Sequence, residues 1–226
     1  MKASHVRTLS VLTSLAALAG LSSALLPHAP AAEADKPAAW VPLFNGKDTE
    51  GWKAQGGAVF KVEDGCLVGT QTDGKGGDLF TTAEYDNFEL RFTYKVGWPA
   101  NSGVWFRTDY QYDILKYKNP VAFSGSLYCS GKMFLTRNEN EKLEDRDGWN
   151  EGQVHANGDH LILWLNGVKT GDIKDATFKK GKVGLQVHPG DEFKGMKIIV
   201  KKMEIRPLAA DEPPTAPTPP TTQPAK

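Results

Sequence analysis

The sequence has little cysteine, no excess charge of either sign, and no long apolar run after residue 26. Its two cysteines, Cys66 and Cys129, are too few for a disulfide framework. The 27 Lys and Arg residues balance 27 Asp and Glu residues, which gives a formal net charge of +0. Without a basic excess there is no general electrostatic attraction to nucleic acid or to an anionic membrane surface. We therefore expect no nucleic-acid partner.

The amino terminus has the pattern of a secretory signal. Lys2 and Arg7 precede an apolar run that ends near Leu26, and small residues follow. Ser and Gly interrupt the run, which favours a cleaved signal over a retained membrane anchor. We predict a signal peptide over residues 1–32, with cleavage near its end favoured over cleavage near Ala24. The mature protein is then secreted or periplasmic, with no stable membrane span.

Export bears on the two cysteines, since disulfides form in oxidising compartments. Cys66 and Cys129 can form one bridge if their Cα atoms lie within roughly 7 Å of each other. Both also lie in strand-like sequence, where each can be a small buried apolar residue. The sequence leaves both interpretations open.

The carboxyl terminus differs in composition from the rest of the chain. From residue 209 it contains no apolar side chain larger than alanine, so it has nothing to bury against a core. We predict a disordered Pro/Thr-rich tail over residues 209–226. A single domain of ordinary size, residues 33–208, remains between the tail and the signal.

This domain has the patterns of β-strands and turns. In "FELRFTYKV", residues 88–96, apolar and polar residues alternate, as in a strand with one buried face. "HLILWLNGVKTGDI" predicts a hairpin that turns at Asn166-Gly167, and "KVGLQVHPG" and "MKIIVKKMEIRPL" predict two more strands. Strands at intervals of about ten residues predict an all-β antiparallel sandwich. The charged segment 135–152 lacks alternation and is predicted to be a surface loop.

Seven segments give the domain a family resemblance. They are "VPLFNGKDTEGWK", "FKVEDGCLVG", "LFTTAEYDNFELRFTYKV", "NSGVWFR", "SGSLY", "GWNEGQVHANGDHLILWLNGV" and "KVGLQVHPG". In the order and spacing of these segments the domain resembles the 3-keto-disaccharide hydrolase family, over nearly its whole length. The resemblance implies a concanavalin-like jelly roll of two antiparallel sheets that acts on sugars.

Strand alternation indicates which side chains of "NSGVWFR" could meet a sugar. Val104 and Phe106 are predicted to face the core, so the alternate residues share the opposite face. That face carries an amide, an indole and a guanidinium around a glycine, groups that suit sugar recognition. These residues are Asn101, Gly103, Trp105 and Arg107.

Two further strands each offer a polar row opposite an apolar one. Gln111 and Asp113 alternate with apolar residues in "YQYDILKY", as Gln186 and His188 do in "GLQVHPG". Tyr128 in "GSLY" is another candidate. We predict that all of these side chains line one cleft, with catalytic and substrate-binding groups together. The predicted catalytic residues are His188, Asp113 and Arg107, and the predicted binding residues are Asn101, Trp105, Gln111, Tyr128 and Gln186.

Each candidate also has a purely structural interpretation. An arginine on an outward strand face is usually a solvated charge, and a histidine before Pro-Gly is more often a turn residue. The resemblance favours a functional role for Arg107 and His188. At the carboxylate this chain departs from the family, which commonly has "GYEVQILD" where this chain has "DYQYDILKY". The inward Glu and Gln of the family thus become Gln111 and Asp113.

The resemblance implies chemistry on a 3-keto sugar. The C3 carbonyl acidifies the C2 hydrogen, so a base can remove it, the C1 substituent can leave, and water can add to the enone. His188 or Asp113 is the predicted base, and Arg107 with Asn101 is predicted to bind the enolate oxygen. A divalent metal could replace the arginine, with Asp113, Gln186 and His188 as possible ligands. No compact motif with metal-ligand spacing occurs.

Two other functions remain open. A non-catalytic carbohydrate-binding module of the same fold would use the same residues without chemistry. Conventional glycoside hydrolysis needs two carboxylates roughly 5 to 9.5 Å apart. The nearest spacing, Glu139, Glu141 and Glu144, lies in the predicted loop, so we rank this reaction below elimination and hydration.

Overall fold

Alternating apolar and polar residues form β-strands along most of residues 38–217, the part of the chain that the computed structural model describes. The predicted signal peptide lies outside these residues. Neither of the two single 3-10 turns, the only helices in this range, is long enough to cross a membrane. The strands are β1 Val41–Pro42, β2 Trp52–Gly56, β3 Val59–Glu63, β4 Cys66–Thr70, β5 Gly77–Thr81, β6 Phe88–Gly97, β7 Asn101–Phe106, β8 Tyr110–Lys118, β9 Val121–Cys129, β10 Met133–Asn138, β11 Asn150–Asn157, β12 His160–Leu165, β13 Val168–Lys174, β14 Gly184–Val187 and β15 Lys197–Pro207, and the turns are Glu141–Leu143 and Asp191–Phe193.

The strands form two antiparallel sheets packed into a sandwich. The first sheet has the order β13-β12-β11-β6-β15-β4-β3, with β1 paired to β15. The second sheet has the order β10-β9-β8-β7-β14-β5-β2. Every pairing between these strands is antiparallel. The predicted antiparallel jelly-roll sandwich is therefore confirmed.

The clearest strand patterns match the structure. The predicted hairpin turns at Asn166 and Gly167, whose φ angles of 49° and 79° lie in the left-handed region that such two-residue turns require. In β6 the predicted inward row is buried. It consists of Phe88, Leu90, Phe92, Tyr94 and Val96.

The segment 135–152 is only partly the loop that its composition predicts. β10 extends through Asn138 and β11 begins at Asn150. Two register shifts interrupt the pairing of β10 with β9, so the strand has no simple alternation in sequence. The Asn138 side chain also donates to the Ser124 carbonyl oxygen at 2.8 Å, which secures the end of β10.

The first part of the predicted tail is not free. Residues 209–217 lie against the outer face of the first sheet, where the backbone N–H of Thr215 donates to Glu89 at 2.6 Å. Asn157 donates to the Ala209 carbonyl oxygen at 2.9 Å, and Gln153 donates to the Thr215 carbonyl oxygen at 2.6 Å. Polar contacts, not apolar burial, place these residues against the sheet. Residues 218–226 lie outside the described range.

Both cysteines are free thiols. Cys66 is in β4 of the first sheet and Cys129 is in β9 of the second sheet. Cys129 is fully buried, so it acts as a small core residue, whereas Cys66 is half-buried.

The core between the sheets fixes which side chains face outward from the second sheet. Apolar residues of β7, β8 and β14 point inward, and the Tyr112 ring meets Phe92 of the first sheet edge to face, with centroids 5.0 Å apart. Alternate residues of the same strands must then lie on the outer face. The inward residues are Val104, Phe106, Tyr112, Ile114, Leu185 and Val187.

Candidate functional site

Strand register brings two acids and one amide onto the outer face of the second sheet. Asp113 of β8 pairs with Gly103 of β7, and Gly103 pairs with Gln186 of β14. Gln186 pairs in turn with Asp78 of β5. Paired residues share a face, so this row crosses four strands with a gap at the glycine.

A parallel row of larger side chains runs beside it. Tyr128 pairs with Gln111, and Gln111 pairs with Trp105. The Trp105 and Tyr128 rings meet edge to face with centroids 6.1 Å apart. The two aromatic rings, from strands on either side of β8, therefore contact each other in this row.

His188 and Asn101 complete the site at the ends of their strands. His188 follows directly after β14, and its backbone N–H donates to the Asn101 carbonyl oxygen at 3.1 Å. The His188 carbonyl oxygen accepts a hydrogen bond of 2.7 Å from the buried Gln71 amide. These two contacts fix the histidine backbone beside the polar row.

A pocket of about 210 Å³ lies over these residues. Seven of the eight predicted site residues line it, and Arg107 does not. The lining consists of Asn101, Trp105, Gln111, Asp113, Leu115, Tyr117, Tyr128, Met133, Phe134, Gln186 and His188.

A second pocket, of about 260 Å³, lies on the outer face of the first sheet. Three of its polar side chains already have partners: Arg91 and Lys202 pair with Glu204, and Gln153 binds the tail. Pro217 of the tail lies at its edge. We therefore place the candidate site at the pocket of the second sheet, where buried polar atoms lack partners.

Asp113 is the most unusual group in that pocket. Its side chain is only 2% exposed, and its Oδ2 has no hydrogen-bond partner. Burial raises the pKa of Asp113 well above the ordinary value because desolvation penalises the carboxylate. The neutral carboxylic acid, which can donate a proton, is thus favoured there.

Gln111 is also buried and incompletely bonded. Its Nε2 has no hydrogen-bond partner. A Cβ at Gly103 would lie 2.5 Å from the Gln111 Cδ, so the glycine is needed for the amide to lie across β7. A buried unpaired amide costs free energy unless a ligand satisfies it.

Asp78 is a site residue that the sequence prediction missed. Its Oδ1 accepts a hydrogen bond of 2.7 Å from the Trp105 indole nitrogen, which fixes the ring plane. Alternation in "GDLFT" could have revealed it, because Leu79 is buried and Asp78 therefore faces outward.

His188 has a defined tautomer. Its Nδ1 lies 2.5 Å from the Pro189 carbonyl oxygen, and because that oxygen can only accept, Nδ1 carries the hydrogen. Nε2 of the neutral ring then keeps its lone pair. The ring packs edge to face on Phe193 with centroids 5.6 Å apart. This arrangement suits a general base.

Arg107 does not line the pocket, so the prediction that it shares one cleft with Asp113 and His188 was wrong. Its side chain is fully buried, and its guanidinium donates to the backbone oxygens of Asp86, Gly158 and Phe178 at 2.7 to 3.1 Å. Strand β7 ends at Phe106, and Arg107 has a left-handed φ of 48°, so the alternation stops there. Arg107 ties loops together at the end of the sandwich.

The pocket also has an apolar side that the sequence prediction missed. Leu115 and Tyr117 continue the outward row of β8, and Met133 and Phe134 come from the start of β10. The residues of β8 follow from alternation, but the register shifts of β10 hide the other two. We call these four residues the apolar flank.

No group of three or more His, Cys, Asp or Glu side chains in residues 38–217 is placed to share a metal ion. Asp113 and His188 belong to strands two apart, a separation of roughly 10 Å. Burial also favours the protonated form of Asp113, whereas a metal ligand must be deprotonated. The possible ligands Asp113, Gln186 and His188 therefore do not form a fitting set.

Comparison with known proteins identifies the family of this chain. A family model described as a 3-keto-alpha-glucoside-1,2-lyase-like domain matches residues 39–206. A 3-keto-disaccharide hydrolase of Bacteroides thetaiotaomicron is 34% identical over 77 residues, which are 30% of this chain and 27% of that protein. The match thus spans about a quarter of that relative.

Two solved structures share the fold. A Parabacteroides distasonis protein described as a glycosyl hydrolase has a TM-score of 0.58 at 22% identity, over 75% of this chain and 94% of its own. A Bacillus subtilis protein of unknown function with a galectin-like fold has a TM-score of 0.59 at 15% identity, over 76% of this chain and 97% of its own. Because the family model covers nearly the whole sandwich, the chain belongs to the family of 3-keto-alpha-glucoside-1,2-lyase-like domains.

Proposed function

We propose that this domain cleaves 3-keto-glycosides by removal of the C2 hydrogen, elimination of the C1 substituent and hydration of the enone. Family membership and the name of the Bacteroides relative support a substrate of this class. The observation that carries the proposal is a single pocket lined both by a histidine with a free Nε2 and by a buried acid with an unpartnered oxygen.

His188 is the base in this proposal. Nε2 takes the C2 hydrogen, and the electron pair of the C2–H bond forms the enolate whose negative charge lies on the C3 oxygen. The Nδ1 contact to Pro189 holds the ring in the basic tautomer. The unpartnered Gln111 amide and the Asn101 amide donate to the enolate oxygen, in place of Arg107.

Asp113 is the acid. The enolate electrons form the C1=C2 double bond as the C1–O bond breaks, and the leaving oxygen takes the Asp113 proton. Water then adds its hydroxyl group to C1 and gives its remaining proton to the Asp113 carboxylate. Protonated His188 gives the proton that it removed back to C2. The net reaction is hydrolysis, both residues regain their starting states, and no step needs a metal.

The test is release of 3-keto-glucose from 3-keto-trehalose or a methyl 3-keto-glucoside. We expect turnover by the wild type, and a loss of about 10² to 10⁴-fold in His188→Ala and in Asp113→Asn. His160→Ala is the matched control, because this exposed histidine on β12 pairs with Asp172 away from the pocket. Turnover that EDTA abolishes and a divalent ion restores would contradict the metal-free mechanism.

A carbohydrate-binding module is the second candidate. The edge-to-face pair of Trp105 and Tyr128 at the pocket favours it, because aromatic rings bind sugars without chemistry. Saturable sugar binding with no turnover of any 3-keto-glycoside would establish this function instead.

We also propose that the protein is secreted or periplasmic. Fractionation of cells that make the full chain tests this location.

A further inference from the structure

The candidate pocket has two chemically different sides. One side carries the polar row and His188, and the other is the apolar flank of Leu115, Tyr117, Met133 and Phe134. The boundary between them is sharp, because Leu115 pairs directly with Asn101 across β8 and β7. One ligand bound here would therefore meet polar groups at one end and apolar groups at the other.

The apolar flank leaves part of its apolar surface exposed to solvent. The Tyr117 side chain is 41% exposed and Met133 is 52% exposed. These are two of the seven large apolar residues that are exposed within residues 38–217. The rings of Tyr117 and Phe134 are tilted by 58° with centroids 5.8 Å apart, so they form a surface and do not cover each other. Exposed apolar surface of this kind, next to polar groups, commonly marks a binding site.

Met133 adds an independent observation. Its φ of 65° lies in the left-handed region, which is costly for a residue with a side chain. Gly131, two residues earlier in the same turn, has a φ of 78°, so the chain uses glycine for this conformation there but not at residue 133. The strained backbone holds a long, adaptable thioether at the rim of the pocket.

We propose that the apolar flank binds an apolar, preferably aromatic, aglycone of the 3-keto-glycoside, an inference that rests on the proposed function. With the keto sugar held by the polar row, the C1 substituent must extend past the leaving-group acid, and the flank borders Asp113 along β8. Leu, Met and Phe offer no hydrogen bond to the hydroxyls of a second sugar, and burying those hydroxyls unpaired is unfavourable. An aromatic ring instead gains contact with Tyr117 and Phe134.

The experiment compares kcat/KM for phenyl and methyl 3-keto-α-glucosides with that for 3-keto-trehalose. We expect the wild type to prefer the phenyl substrate over both others. In Phe134→Ala and Tyr117→Ala the phenyl-to-methyl ratio should fall by about two- to twelve-fold, the range expected for loss of one aromatic contact. Val121→Ala is the matched control, since its side chain is 43% exposed and does not line the pocket; it should keep the wild-type ratio.

The outcomes separate this inference from the function on which it rests. Equal kcat/KM for phenyl and methyl substrates, or a preference for 3-keto-trehalose that the two variants remove, would overturn the apolar subsite and leave the reaction intact. If no 3-keto-glycoside turns over, the proposed function fails, and calorimetry with unoxidised phenyl and methyl glucosides decides the subsite. Tighter phenyl binding that Phe134→Ala weakens supports it, and equal affinities overturn it.

Discussion

The outer faces of the two sheets each bury a carboxyl group, and they treat it in opposite ways. On the first sheet both oxygens of Glu89 are bonded, one to Arg206 at 2.9 Å and the other to the backbone N–H of Thr215 at 2.6 Å. On the second sheet Asp113 has no cation beside it, and its Oδ2 has no partner. The side chains are 0% and 2% exposed, so burial alone does not distinguish them.

The partners decide the protonation state of each acid. Burial acts to raise the pKa of Glu89, but the nearby His155 ring and the hydrogen bonds from the Thr215 N–H and Arg206 outweigh it, so the pKa falls below the usual value. At Asp113 burial acts unopposed and raises the pKa. The same sheet geometry therefore produces a charged pair, Glu89 and Arg206, that holds the tail on one face, and a neutral acid available to a ligand on the other. We call Glu89 and Arg206 the clamp.

The largest expected effect is the loss of stability when the clamp on the first sheet is broken. Glu89→Gln removes the buried one of the two carboxylates that compensate Arg206 and leaves only the partly exposed Glu212. We therefore expect a loss of about 3 to 5 kcal/mol in the free energy of unfolding at pH 7. Urea denaturation measures it. Glu84→Gln, at an exposed pair with Lys180, is the matched control and should change little. A Glu89 variant as stable as the control would mean that the clamp contributes nothing.

The second prediction concerns Arg107, which, like Arg206 of the clamp, is a buried arginine held by hydrogen bonds. Arg107→Met leaves carbonyl oxygens of three loops without their donor, so we expect a loss of about 3 kcal/mol in the free energy of unfolding. Turnover of a 3-keto-glycoside per folded molecule should stay within two-fold of the wild type. Normal stability combined with lost turnover would return Arg107 to the catalytic residues.

Sequence alternation located most of the site because the relevant strands are regular. β7, β8 and β14 keep their register, so residues two apart share a face, from Asn101 to Trp105 and from Gln111 to Asp113. The same rule failed at Arg107, one residue beyond the strand end, where Arg107 and Thr108 both adopt left-handed φ angles. "FRTD" contains no glycine or proline to mark that end.

Other features depend on contacts between distant parts of the chain. The tail is held by Glu89, 126 positions before Thr215, and no local pattern reveals such a partner. Met133 and Phe134 reach the pocket through a strand whose register shifts twice. Asp78, by contrast, could have been found, because the outward position beside buried Leu79 follows from alternation alone.

The third prediction concerns Asp113, whose contribution to stability should change with pH in the direction opposite to that of the carboxylates on the first sheet. Because its pKa is raised in the folded protein, its contribution to stability is fully present below the unfolded pKa of 3.8 and is lost as the pH rises through the raised value. Asp113→Asn has no such loss, so at pH 7 it should unfold at a higher urea concentration than the wild type. The difference should vanish below about pH 4. A variant less stable at pH 7 would show that the carboxyl group is a structural partner like Glu89.

The smallest expected effect is the stability loss in Glu212→Ala, and this variant also tests whether the clamp is energetically coupled to the pocket. Hydrogen bonds from the Ala209 N–H and Arg206 lower the pKa of Glu212, so its contribution to stability is present above the unfolded pKa of 4.5 and is lost as the pH falls through the lower folded value. Glu212→Ala should cost about 1 kcal/mol or less at pH 7, since the pair is partly exposed, and the cost should shrink in acid, opposite to Asp113→Asn. Turnover and the phenyl-to-methyl ratio should not change, because the core separates the two outer faces. A change in either quantity would mean that the tail affects the pocket through the core of the sandwich. The outer face of the first sheet would then be a regulatory element as well as a structural one.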